Sequence, residues 1–154
     1  MKMRLILVFA AFCAGLVAHP ALTAQTSGRR VIQPKQFPYL GLPFSPAIVV
    51  GDTMYLAGVL GRDPATTKLV PGGIEAETRQ AFANIREVLR AGGMDLGDVV
   101  TTTAYIVDFK DFDGFNKVYR EFFPKDPPAR ATVAVAALNQ GGRVELQMVA
   151  VRPR

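Results

Sequence analysis

The sequence predicts an α+β sandwich in which one β-sheet carries two helices on the same face. Three observations lead there. Apolar residues recur at helical spacing in two stretches only, the remaining ordered segments are short and rich in Val, Thr and Ile, and glycine or proline separates each segment from the next. The signals run strands, helix, strand, helix, two strands, with no repeat and no second domain.

Each element has its own signal. Residues 25–36 are polar, contain Ser27-Gly28-Arg29-Arg30, and read as a flexible lead-in that adds little to the fold. Pro38, Gly41, Pro43 and Pro46 punctuate an extended arm at the start of the folded domain, residues 37–154. Residues 47–50, a Gly51-Asp52 turn and residues 53–57 form a hairpin, followed by a loop carrying Gly58, Gly61, Pro64 and Gly72-Gly73.

Between residues 74 and 91, Ile74, Ala81, Phe82, Ile85, Val88 and Leu89 define one face of a helix, with Glu77, Arg79, Arg86 and Arg90 on the other and Gly92-Gly93 as the stop. Residues 99–107 read as a strand. A second helix over about residues 111–123 gathers Phe112, Phe115, Tyr119, Phe122 and Phe123 on one side, and Pro124 ends it. Residues 130–137 and 143–151 are two further strands joined through Asn139-Gln140-Gly141-Gly142.

Residues 1–24 have the pattern of a secretory signal peptide: Lys2 and Arg4, an apolar run from Leu5 to Val17, then Ala24 before Gln25. The expectation is export to the periplasm or beyond, with an uncleaved anchor as the alternative. Removing this segment leaves 130 residues and lowers the formal charge from +5 to +3, a mild excess without a Lys/Arg cluster. Nucleic-acid binding is therefore not expected.

The only cysteine, Cys13, and the only histidine, His19, both lie in that segment. A chain without them has no disulfide, thiol nucleophile, Ser-His-Asp triad or zinc site built on Cys or His. No metal site is expected. Chemistry would fall to carboxylates, Arg, Lys, hydroxyls, amides and water.

Two helices cover one face of a sheet and leave the other bare. Thr101, Thr103, Tyr105, Val133, Val135, Leu146 and Met148 could supply apolar surface to both sides, which favours burial against other copies in a closed ring.

The stretch "PPARATVAVAAL" opens a strand with a permanent charge, Arg130, behind Pro127 and Pro128. A guanidinium at a burial-prone position needs an anion, either a carboxylate of this chain or a neighbour, or the carboxylate of a small ligand gripped by its planar fork. Glu145 alternates with apolar residues in "RVELQMV", which by itself suits a solvated outward position. Were the last two strands a plain hairpin, Glu145 would lie roughly 17 Å along the strand from Arg130. Topology thus decides whether the two share a site.

These residues, with Glu145 fifteen positions after Arg130, resemble the C-terminal signature of the Rid family, the YjgF-like reactive-intermediate enamine/imine deaminases. The resemblance extends through "NKVYREFF", "DVVTTTAYIVDFKDF", "QAFANIREVLRAGG" and "GDTMYLAGVLG", nearly all of residues 44–152. It implies a homotrimer of chorismate-mutase-like subunits, with the last strand inserted beside the first and the sites in clefts between subunits. Arg130 and Glu145 would then face a common cleft from neighbouring strands.

The activity implied is cofactor-free hydrolysis of small 2-imino and enamine acids to 2-oxo acids and ammonia. By position Arg130 resembles the carboxylate-binding arginine and Glu145 the acid that holds or activates water. Asn116 matches an asparagine near the family's site, though a surface amide explains it equally well. Gly58 matches a glycine whose backbone approaches ligand.

Three positions depart from the common pattern. Phe44 stands where many members have tyrosine, Thr132 where they often have cysteine, and Ala57 where they often have serine. Phe44 and Ala57 make the expected pocket less polar. The competing reading is a trimeric protein that binds small carboxylates without turnover.

Overall fold

The computed structural model describes residues 28–35 and 43–153. The leader at residues 1–24, together with Pro38 and Gly41 of the arm, lies outside the described residues. Among the described residues, seven strands form one sheet: β1 (Arg30–Ile32), β2 (Ala47–Val50), β3 (Thr53–Leu56), β4 (Val59–Leu60), β5 (Val99–Ile106), β6 (Ala129–Ala134) and β7 (Val144–Val151). Two helices, α1 (Gly73–Ala91) and α2 (Phe112–Phe122), pack on one face as the periodicity predicts.

The sheet order is β1-β2-β3-β7-β5-β6, with β4 also paired to β7. β5 and β6 run parallel and every other pair is antiparallel. The last strand does not pair with its predecessor. Its neighbours are β5 and the second arm of the hairpin, β3, rather than the first strand.

Two local expectations change. Residues 30–32, assigned to a flexible lead-in, form an edge strand: Arg30 pairs with Val49 and Ile32 with Ala47, and the Ile32 side chain joins the core. Residues 59–60, assigned to a loop, pair with Leu146 and Glu145 of β7. Both strands are too short to show an alternating pattern, so only pairing partners reveal them.

Ala81, Phe82, Ile85, Val88 and Leu89 of α1 are fully buried against Ala104 and Ile106 of β5 and Leu146 and Met148 of β7. Leu146 and Met148 thus belong wholly to the helix-covered face. Phe82 stacks on Phe122 with ring centroids 4.3 Å apart and meets Tyr119 edge-on, locking α1 to α2. Outside this contact Arg79 donates to both carboxylate oxygens of Glu121, and Lys117 to Glu75. α1 ends where Gly93, at φ 79°, donates to Arg90 and Met94 donates to Leu89, the paired closure that a left-handed glycine permits.

Glu77 breaks the simple two-faced picture of α1. Assigned to the polar side, it is only 6% exposed, and Oε2 accepts a 2.8 Å hydrogen bond from the Arg143 backbone N–H. Gly61 makes this approach possible, since a Cβ there would collide with the Glu77 backbone. Arg143 in turn donates through Nε and Nη2 to Asp111 at 2.8 and 2.9 Å. Two carboxylates therefore fix the chain at the entry to β7, two residues before Glu145.

Candidate active site

The register assigns each candidate residue to a face. Arg130 pairs with Thr102 and Thr132 with Ala104, both fully buried beneath the helices, so Arg130 and Thr132 point to the helix side at the sheet edge. Glu145 pairs with Tyr105, whose side chain lies on the opposite face. β5 also separates β6 from β7. Within one chain Arg130 and Glu145 are therefore not on neighbouring strands and do not share a cleft; their Cα atoms are about 14 Å apart by strand geometry, on opposite faces.

Each residue instead sits in its own cluster. Arg130 Nη2 donates to Asn116 Oδ1 at 2.8 Å, which gives Asn116 a definite role and orients the guanidinium. The guanidinium carbon lies 4.4 Å from the centroid of the Tyr119 ring and 5.1 Å from that of Phe115. Tyr119 is itself held from below, its hydroxyl donating to Thr102 Oγ1 at 3.2 Å. Burial pushes the Tyr119 hydroxyl pKa up, against the opposing pull of the Thr102 hydrogen bond and the Arg130 charge.

The Arg130 side chain is exposed, contrary to the burial expected from its apolar surroundings in sequence. No carboxylate of the described residues pairs with it; its partner is a neutral amide. The residue opens into a pocket of about 400 Å³ with Tyr119 and Phe123 as apolar walls and Pro127 and Pro128 along one side. The two prolines fix the approach of the chain to β6. The result is a cation pre-oriented by stacking and a hydrogen bond, with donors left to grip an anion.

Glu145 anchors the second cluster. It is half-buried, and a Cβ on Gly58 would collide with its carboxylate, so glycine is required for the carboxylate to lie against the 58–59 backbone. The same backbone is held from two sides. The Ala57 N–H donates to Pro46 O at 2.9 Å, which ties the chain after Phe44 to the residue preceding Gly58. Asn84 of α1 donates to Leu60 O and Arg62 O at 3.2 and 2.8 Å.

Arg62, only 7% exposed, brings a buried positive charge to this cluster. Burial pushes the Glu145 pKa up and the Arg62 charge opposes that shift. A partly desolvated carboxylate beside a buried guanidinium suits proton transfer with water. Tyr119, Arg62 and Glu77 had no distinguishing signal in the sequence. Tyr119 read as core and Glu77 as helix surface, and Arg62 was not singled out within the loop.

One set of residues can bind a carboxylate and the other can handle a proton. Within a single chain the two sets face away from each other. The sheet face on which Glu145 stands is largely uncovered: Val31, Tyr55, Val133 and Val151 are exposed on it, Tyr55 at 52%.

Known proteins resemble this chain in sequence and in fold. The sequence model of the endoribonuclease L-PSP family matches residues 36–152. A 2-iminobutanoate/2-iminopropanoate deaminase from Capra hircus is 45% identical over 124 residues, covering 80% of this chain and 90% of its own. The Homo sapiens protein of the same name is 41% identical over the same length. Among solved structures, RidA from the Antarctic bacterium Psychrobacter superposes with a TM-score of 0.75 at 38% identity, over 79% of this chain and 98% of that one.

Proposed function

Because the chain belongs to the endoribonuclease L-PSP family of YjgF/Rid proteins, we propose that it hydrolyses small 2-imino acids and their enamine tautomers to 2-oxo acids and ammonia. The observation that carries this reading is the Arg130 guanidinium, oriented by Asn116 and Tyr119 and paired with no carboxylate of the described residues. It is a preformed receptor for one carboxylate.

In the proposed reaction Arg130 holds the substrate carboxylate and Glu145 accepts a proton from water as the water oxygen attacks the C=N carbon. The nitrogen takes up a proton from solvent, to which the hydroxyl proton is later returned, giving a tetrahedral carbinolamine. Glu145 then returns its proton to that nitrogen, the C–N bond breaks, and the hydroxyl proton is lost as the C=O forms. Thr132, on the Arg130 face, and Phe44, two residues before Pro46, contribute shape. The residues perform every step themselves, without a cofactor.

The cleft forms between subunits of a ring, for which we propose a homotrimer. Support comes from the opposed faces of Arg130 and Glu145 and from the exposed apolar residues on the sheet face opposite the helices. Export through residues 1–24 is part of the same proposal, resting on the Lys2, Arg4 and Leu5-to-Val17 pattern, and amino-terminal sequencing of the purified protein tests it.

The second reading, a non-catalytic carboxylate-binding protein, draws on Phe44 and Ala57, which offer no hydroxyl. Generating 2-iminopropanoate or 2-iminobutanoate in situ and following its loss separates the two. Acceleration by the purified protein is expected; its absence would overturn the deaminase reading.

A further inference from the structure

The Arg130 pocket contains a second guanidinium. Arg120 lines it with Arg130, and no lining residue is acidic. Arg120 follows Asn116 by four positions on α2, so it projects from the same helix face about 6 Å further along the axis. Among the described residues it makes no ion pair or hydrogen bond. At about 400 Å³ the space also falls within the size range of pockets that hold drug-sized ligands, well beyond a three- or four-carbon acid.

An imino monocarboxylate satisfies one of these two cations and leaves the other facing water. A diacid of four or five carbons can span one helical turn and satisfy both. We propose that this site accepts 2-imino dicarboxylates, with Arg130 on the carboxylate next to the imine and Arg120 on the distal one. The proposal rests on the imine-deaminase reading above and narrows its substrate class. The balance is unchanged: one water adds to the C=N carbon, the C–N bond breaks, and ammonia and a 2-oxo dicarboxylate leave.

Arg120 is exposed at the helix surface, so its replacement leaves the core untouched. The test measures binding of stable products as well as turnover. At physiological ionic strength, calorimetric titration of the full oligomer should show 2-oxoglutarate binding roughly tenfold or more tighter than 2-oxobutanoate. Arg120→Gln should remove that preference and Arg120→Glu invert it. In parallel, the ratio of kcat/KM for 2-iminoglutarate over 2-iminobutanoate should fall at least tenfold in Arg120→Gln.

Equal binding of the two products, or a preference that survives both variants, overturns the proposal even if monocarboxylate imines are turned over. Selective dicarboxylate binding without acceleration of any imine would instead overturn the deaminase reading and leave the assignment of Arg120 standing.

Discussion

Arg130 and Glu145 leave the sheet on opposite faces, Arg130 opposite buried Thr102 and Glu145 opposite Tyr105, with β5 between their strands. Neither can reach a substrate held by the other in the same chain. If the active site joins the two, it must draw them from different subunits. Mixing Arg130→Ala and Glu145→Gln subunits, each impaired alone, should then raise turnover, because some interfaces combine the intact Arg130 of one chain with the intact Glu145 of the other. Activity that stays at the level of the separate variants after subunit exchange counts against a shared site.

Arg130→Ala should lower kcat/KM by on the order of 100-fold, the loss expected for charge-assisted hydrogen bonds worth about 3 kcal/mol. The exposed guanidinium contributes little to the core, so melting temperature and oligomer mass should hold. Arg130→Lys keeps charge but loses the fork, and should fall between the two. Dissociation of the oligomer on Arg130→Ala would show the residue to be an interface contact instead.

Burial raises the Glu145 pKa above the ordinary 4.5, and Arg62 opposes the rise. A reaction that needs the carboxylate should therefore lose kcat/KM as pH falls, with the acid limb above 4.5. Arg62→Met should move that limb to still higher pH. For folding, a raised value means that protonation favours the native state: the contribution of Glu145 is fully present below the unfolded-state value and is lost as pH rises through the folded one. Glu145→Gln should then abolish turnover while raising Tm at neutral pH, and a pH series of melts checks the sign.

Gly58→Ala places a methyl group where the Glu145 carboxylate lies. The carboxylate must move, so kcat should drop at least about tenfold, since small misplacements at a reacting centre are costly. Product binding at Arg130 should change less than kcat does. Wild-type kcat in this variant would show that the Glu145 position is unimportant for turnover.

Glu77→Leu should destabilise the fold by about 1–3 kcal/mol, because the Arg143 N–H loses its acceptor next to β7. Glu77→Gln keeps an acceptor oxygen and should retain most of the stability. Chemical denaturation of both variants tests the contact, and equal losses would show that the charge of Glu77 matters more than its hydrogen bond.

Both helices and the long strands β5 and β7 were legible because their period is written in consecutive residues, as in Phe82, Ile85 and Leu89 facing inward from α1. Arg130 and Glu145 were conspicuous as charges in apolar runs, and the family resemblance supplied their partners Asn116 and Gly58. Edge strand Arg30–Ile32, the short β4 and the burial of Glu77 were not legible. Each depends on what lies across from it: Val49 for Arg30, Glu145 for Leu60, and the Arg143 N–H for Glu77.

By itself the sequence determined the layered α+β class, the absence of Cys and His chemistry beyond residues 1–24, and the two charged residues around which a site could form. Only the tertiary structure decided that β7 lies between β3 and β5, and with it the face on which each charge stands. The physical reason is the two-residue period of a strand. Local pattern says which residues alternate, but the hydrogen-bonded neighbour sets the register, and the register sends Arg130 toward α2 and Glu145 to the other face.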